Sequence, residues 1–303
     1  MSVIENAIKR LQASRGGTTG AAATHHATGT YTAPVSARQR EIEADAPPPS
    51  FTISVNQDAL RAAGMLPPAH QERELAQQYR QIKRPLINLA LGRGVAPIPR
   101  GNMIMVASAV PGEGKTFMSL NLAFSMQLES DLTVLLVDGD VVNPRVSQIF
   151  GVENEPGLLD VIRDPALALK TVILPTDVPG LSFLPAGRQD ANATELLASA
   201  RTQEVISQLG SDDPSRLVLF DSAPLLLTTE SHALAQLVGQ VVIVVRADQT
   251  PQQAVLDAIE TLSDGKAVSL VLNQSLEQPR PGYYYQYQQL GGGAKALERV
   301  RES

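Results

Sequence analysis

From about residue 100 onward, short runs of Val, Leu, Ile and Met alternate with segments whose apolar residues recur every three or four positions. The runs at 102–108, 132–138, 181–185, 216–221, 240–246 and 267–272 are short, uniformly apolar and rich in β-branched residues. They read as strands buried on both faces. The segments 115–128, 193–208, 228–236 and 251–263 carry helical spacing and fall between them. Strands and helices alternating in this way predict an α/β fold, a mostly parallel sheet with helices on both faces. In such sheets ligands bind beyond the carboxyl ends of the strands. Upstream, 72–91 has a helical pattern rich in charge and amide, with Leu75, Tyr79 and Ile82 on one side. Pro85 is expected to kink or interrupt it.

The ends of the chain lack this alternation. Residues 1–12 read as a short amphipathic helix, with Val3, Ile4, Ala7, Ile8 and Leu11 on one face, suited to docking on a partner or on another part of the chain. Residues 13–70 read as a mostly disordered linker, rich in Gly, Thr, Ala, Ser and Pro as far as Pro47-Pro48-Pro49. The folded domain is expected over 71–275. A flexible tail over 276–303 carries Pro279, Pro281, a tyrosine cluster and Gly291-Gly292-Gly293.

Composition narrows the classes. The 303 residues hold no cysteine, so disulfides and thiolate metal sites are excluded, and a cytoplasmic setting is expected. The formal net charge of −6 gives no electrostatic basis for nucleic-acid binding. No long apolar run predicts a membrane span, and the polar N-terminus does not resemble a secretory signal.

The chemistry begins directly after the first strand, at Ser108-Ala109-Val110-Pro111-Gly112-Glu113-Gly114-Lys115-Thr116. Strand, Gly-rich turn and helix in that order make a phosphate cradle, because backbone N–H groups and a helix N-terminus converge on an anion. The candidate nucleotide-binding residues are Val110, Pro111, Gly112, Glu113, Gly114, Lys115, Thr116 and Phe117. Gly112 and Gly114 let the backbone approach the phosphates, Lys115 supplies a point charge, and Thr116 offers a hydroxyl to Mg²⁺. Ala109 stands where the GxxxxGK[ST] pattern opens with glycine.

Two later strands end in acids. Val134-Leu135-Leu136-Val137-Asp138-Gly139-Asp140 places two carboxylates at the sheet's carboxyl edge, suited to sharing Mg²⁺ and proton transfer. Leu217-Val218-Leu219-Phe220-Asp221 has the Walker B form, an apolar strand closed by a Mg²⁺-holding acid. Asn273, ending the last strand, can pair with an adenine edge or simply terminate the strand. In the tail, Tyr283, Tyr284, Tyr285 and Tyr287 are four of the chain's six tyrosines. Beside an ATP site they read as phosphoryl acceptors; taken alone they read as a Tyr/Gln-rich sticky tail.

Over about residues 72–290 these ordered motifs resemble the bacterial tyrosine kinases, autokinases that control exopolysaccharide synthesis. The pattern is most similar to the exosortase-associated subgroup, whose kinase is a separate cytoplasmic polypeptide. The resemblance implies a P-loop NTPase fold and ATP with Mg²⁺ as cofactors. It matches Lys115 and Thr116 to Walker A, Asp138 and Asp140 to Walker A′, and Asp221 to Walker B. Catalysis then falls to Lys115, Asp138, Asp140 and Asp221, with Thr116, Asp138 and Asp221 holding the metal. The tail tyrosines match a cluster phosphorylated in trans between neighbouring copies. Also implied are a homo-oligomer, a membrane polysaccharide co-polymerase of the chain-length-determinant type acting as activator on another chain, recruitment to the inner membrane by it, and a cognate tyrosine phosphatase.

Two departures from the family pattern stand out. Val142 occupies a place where the family often has Arg, and the ring-assembly motif ExxRxxR is here Gln77-x-x-Arg80-x-x-Lys83, which cannot form the bidentate Arg–carboxylate contact from Gln77. Competing readings are a ParA/MinD-like ATPase switch and an idle ATP-binding scaffold. Val110 stands where the switch ATPases carry a signature Lys, and the intact acids argue against the scaffold.

Overall fold

The computed structural model describes residues 51–275, apart from 212, 214 and 264. In chain order its main elements are α1 (Gln57–Ala62), α2 (Glu72–Leu91), β1 (Met103–Ser108), α3 (Lys115–Met126), β2 (Thr133–Asp138), α4 (Arg145–Ile149), α5 (Leu158–Arg163), α6 (Leu169–Val172), β3 (Leu174–Pro175), β4 (Leu181–Leu184), α7 (Ala193–Leu197), α8 (Ala200–Ser211), β5 (Arg216–Asp221), α9 (Thr229–Leu237), β6 (Gln240–Arg246), α10 (Gln252–Glu260) and β7 (Ala267–Asn273). The segment 2–12, the linker up to residue 50 and the tyrosines at 283–287 lie outside the described residues.

The strands form one sheet in the order β3-β4-β2-β5-β1-β6-β7. All neighbours are parallel except β3 and β4. The central strands are buried on both faces, which is why they read as apolar runs rather than as alternating ones. Met103, Met105 and Ala107 of β1 join Leu135, Val137, Val218, Phe220 and Ile243 in one core. Ile104 and Val106 join a second core on the other face, with Val134, Leu136, Leu217, Leu219, Val242 and Val244. Helices α5, α7, α8 and α9 contribute to the first core, and α1 to α4 to the second.

The ordered fold starts earlier than the linker reading over 13–70 allowed. Ile53 forms a parallel bridge with Thr176, and its N–H donates to the Pro175 carbonyl at 2.8 Å. Asp177 accepts from the Val55 N–H at 2.9 Å and the Ser54 hydroxyl at 3.0 Å. Ile53, Val55 and Leu60 are buried in the second core. The three apolar residues are too few and too scattered to show periodicity, so their packing is invisible without the sheet they pack on.

Three further differences have physical causes. Helix α2 runs through Pro85 without interruption and ends at Gly92, whose φ of 64° closes the helix with its N–H on the Asn88 carbonyl. Its Leu86 and Ile87 are buried directly after the proline, so packing holds the turn together. The expected helix over 193–208 is two helices, because the Ser199 hydroxyl accepts from the Thr202 N–H at 3.3 Å and begins α8 afresh. The short elements α1, α4, α5, α6 and β3 carried no periodic signal.

If residues 53–60 belong to the fold, Leu60→Ala should lower stability by about 2–4 kcal/mol, the cost of emptying a buried leucine site. Urea unfolding measures this; an unchanged midpoint would return the segment to the linker.

Candidate active site

The sheet order places β5 between β1 and β2, so the strand ending in Asp221 neighbours both the strand leading into the Gly-rich loop and the strand ending in Asp138. Asp138 and Asp221 are paired in register across β2 and β5. Parallel strands of matched register bring their ends to one edge, and α3 begins at that edge with Lys115. Lys115, Thr116, Asp138, Asp140 and Asp221 therefore meet at one place, as their motif positions predicted.

Asp221 is fully buried, and both of its oxygens are used. Its Oδ2 accepts from the Thr116 hydroxyl at 2.9 Å and its Oδ1 from the Ser119 hydroxyl at 2.9 Å. Asp138 Oδ2 accepts from the Ser147 N–H and hydroxyl, each at 2.8 Å. Its Oδ1 is buried without a partner. Asp140 lies 3.6 Å from Lys115 Nζ and accepts from the Asn143 N–H at 3.1 Å.

Crowding buried acids raises their proton affinity. Burial, then the nearby charge of Asp221, pushes the Asp138 carboxyl up to about 7 against the partial relief from Ser147. Burial pushes Asp221 up to about 6, opposed first by the Lys115 charge. Burial also raises Asp140, again opposed by Lys115.

The loop is held from behind by a residue whose role the motif did not reveal. Glu113, assigned to nucleotide binding from its place in the loop, is almost wholly buried. Its Oε2 accepts from the Val110 N–H at 2.8 Å, while its Oε1 takes the Thr250 hydroxyl and, at 3.4 Å, the Arg246 N–H. Its side chain thus braces the loop against the turn after β6. Gly112 and Gly114 have φ of 82° and 91°, where glycine is favoured. A Cβ on Gly114 would come within 2.1 Å of Asn273 Nδ2. Asn273 sits beside the loop, where its Nδ2 donates to the Glu113 carbonyl at 2.9 Å. That bond uses one of the two N–H donors of the amide.

Val110, Pro111 and Phe117 lie on the same loop and helix start, with Pro111 and Gly112 exposed. Sequence reasoning missed Ser119, Ser147 and Thr250. Ser119 lies three residues after Thr116 on one helix face, a spacing that was readable. Ser147 and Thr250 reach the site only through the fold. Lys83 of the ring motif turns inward: it is buried, pairs with Glu129 at 2.7 Å and donates to the Ser125 carbonyl at 2.6 Å.

Among the described residues, no group of three or more His, Cys, Asp or Glu side chains could cage a metal unaided. Mg²⁺ binds through one or two carboxylates with the remainder of its shell from water and phosphate. The Thr116 hydroxyl and the Asp138 and Asp221 carboxylates are hard oxygen donors of that kind. Asp138 Oδ1, buried with no protein partner, is an oxygen whose burial a cation would compensate. The residues present fit the ion.

The raised acids give the nucleotide-free protein a pH signature. Between the ordinary aspartate value of 3.8 and about 7, the folded protein holds a proton on Asp138 that the unfolded chain has released. Stability is therefore higher at the acid end of this window and falls as pH rises through it. Asp138→Asn should flatten the slope and raise stability at pH 8 by on the order of 1 kcal/mol. Thermal unfolding from pH 5 to pH 8 without nucleotide tests it; an unaltered slope would reject the assignment.

Known proteins place this geometry. A ParA family model, described as NUBPL iron-transfer P-loop NTPase, matches residues 100–212. The chain is 32% identical over 151 residues to the tyrosine-protein kinase ptk of Acinetobacter johnsonii, a match covering 50% of this chain and 20% of that protein. It is 27% identical over 194 residues to the tyrosine-protein kinase YwqD of Bacillus subtilis, covering 63% of this chain and 77% of the relative. The BceF tyrosine kinase domain superposes with a TM-score of 0.55 at 25% identity, over 79% of this chain and 90% of that domain. The chain thus spans about a fifth of the Acinetobacter relative and most of the Bacillus one. By fold and sequence similarity, residues 51–275 form a P-loop NTPase domain homologous to those of bacterial tyrosine kinases.

Proposed function

We propose that the chain is an ATP-dependent protein-tyrosine autokinase. It phosphorylates Tyr283, Tyr284, Tyr285 and Tyr287 in trans between copies and regulates exopolysaccharide polymerisation and export. The observation that carries this reading is the meeting of Lys115 and Thr116 with three strand-end carboxylates, one of them held near neutrality. The N–H groups of the Gly-rich loop and the Lys115 ammonium hold the β- and γ-phosphates. Thr116, Asp138 and Asp221 would hold Mg²⁺, which supplies neutralisation of the charge on the transferring phosphoryl group. A phenol titrates near pH ~10 and is a weak nucleophile at neutral pH. Asp138, with its proton affinity near 7, accepts the phenolic proton as the tyrosine oxygen bonds to the γ-phosphorus. The bond from that phosphorus to the β–γ bridging oxygen breaks, and ADP leaves. Asp140 keeps the Lys115 ammonium in place.

The acceptors lie outside the described residues, downstream of the end of β7. The last described residue, 275, is two positions past Asn273, which touches the Gly-rich loop. The tail therefore leaves the fold at the carboxyl edge of the sheet. Its phosphates would add about −1.5 to −2 charge each, favouring release from an acidic neighbour in a homo-oligomer. The same reading supplies the remaining partners: a membrane co-polymerase of the chain-length-determinant type on another chain as activator, which recruits this cytoplasmic protein to the inner membrane, and a tyrosine phosphatase. Membership of the exosortase-associated subgroup belongs to this proposal too. Among the described residues, no helix is long and apolar enough to cross a membrane.

The match to the ParA model favours one second reading, an ATPase switch with no tyrosine transfer.

Lys115→Met carrying an intact tail, mixed with active protein whose four tail tyrosines are Phe, should acquire phosphotyrosine on its tail from Mg-ATP. Lys115→Met alone should acquire none. Mass spectrometry reads the sites, and ADP release without any phosphotyrosine would favour the switch. Asp138→Asn should retain ATP binding while transfer falls at least about a hundredfold, the scale of one general base. Normal transfer would remove Asp138 from that role.

A further inference from the structure

On the face of the domain behind α3, helices α1, α2 and α3 enclose an apolar groove of about 310 Å³. Leu66, Leu75, Tyr79, Phe124, Leu128 and Val178 line it, and the Arg61–Glu72 ion pair stands at its rim. Leu128 is 72% exposed, so the apolar lining of the groove continues out to solvent there. The floor is well built: Asn121 of α3 donates to the Met65 carbonyl at 2.9 Å, tying the α1–α2 connection to the helix that begins at the nucleotide loop.

The first described residues run beside this groove. Ile53 bridges to Thr176, Asp177 caps Val55, and the next residue, Val178, is part of the lining. Gln57, the first residue of α1, lines it as well. The chain preceding residue 51 thus enters the fold within the reach of the groove. That chain contains one apolar stripe at helical spacing, Val3, Ile4, Ala7, Ile8 and Leu11, with Glu5, Asn6, Lys9, Arg10 and Gln12 between. As a helix it measures about 16 Å, and a segment so short needs a partner surface to stay helical. The 38 residues from 13 to 50 give a root-mean-square reach of about 35 Å as a flexible chain, enough to bring the stripe to the groove of the same molecule.

We propose that residues 2–12 occupy this groove in cis, as an amphipathic helix laying Ile4, Ile8 and Leu11 against Leu75, Phe124 and Leu128. This is the helix-in-groove mode, with anchors at i, i+4 and i+7. Its site is remote from the carboxylates and does not depend on the kinase reading. Because α3 is both the groove's wall and the helix that starts with Lys115, the segment seats directly on the element that carries the nucleotide loop.

Hydrogen exchange on the full chain tests it. Ile4→Glu/Ile8→Glu should raise exchange at least about tenfold in 57–79 and 121–128, where protection tracks local opening, and leave β5 and β6 unchanged. Leu128→Glu, placed on an exposed side chain so that the core is untouched, should reproduce the effect. A synthetic peptide of residues 2–12 should restore protection to the Ile4→Glu/Ile8→Glu protein and fail on Leu128→Glu. Unaltered exchange in either variant, or restoration by the peptide in both, overturns the proposal. Protection that fades on dilution of the wild-type chain also overturns it, since the occupant would then come from a second copy.

Discussion

The rest of the structure depends on a carboxylate that the fold buries completely. Asp221 closes β5, between β1 and β2, and has no access to water. A charge there is costly unless donors surround it. Thr116 and Ser119 supply them from the first turns of α3. The same two hydrogen bonds therefore satisfy the acid and dock the helix whose N-terminus faces the phosphate position. The placement of α3 against β5, and with it the position of Lys115 at the start of that helix, is fixed by these contacts.

The neighbouring Asp138 is less fully compensated. Ser147 satisfies one oxygen, while the other remains buried without a partner. Packed interiors tolerate such an orphan where function supplies the missing partner. Burial is the main reason each acid holds its proton more tightly than an exposed aspartate, with the charge of Asp221 adding to it at Asp138 and that of Asp140 at Asp221. Stability is thereby sacrificed at the point where a metal-bound nucleotide would restore it, a local conflict of the kind expected at working sites.

The nucleotide loop is secured on its other side by Glu113 and Asn273. Through Glu113 it is joined to the turn after β6, and through Asn273 to the end of β7. A loop rich in glycine has much conformational freedom to lose, and these contacts remove part of it before any ligand arrives. They also join the loop to the strand from which the tyrosine tail departs. On the opposite side, α3 rests on α1 and α2, with Lys83 anchoring α2 to the carbonyl of Ser125. The helix at the centre of the site is thus held at its start by the acids and along its length by the groove-forming face.

The sequence by itself determined the layered α/β class, the six longer strands within a residue or so, the phosphate loop and the acids at the strand ends. These features are encoded locally: a buried strand must be apolar throughout, and a phosphate loop needs glycine and lysine at set places. Tertiary structure decided what non-local packing controls. Ile53, Val55 and Leu60 join the fold only because the sheet edge and α2 offer them a surface, and α2 continues through Pro85 because burial of Leu86 and Ile87 outweighs the proline's local preference. Glu113 could have faced a phosphate by its position in the motif; the Thr250 hydroxyl and the Arg246 N–H, more than 130 positions later, turn it inward. Ser147 and the unpartnered oxygen of Asp138 have no local signature either. Their importance arises from strand register and depth of burial, quantities that exist only after distant parts of the chain have come together.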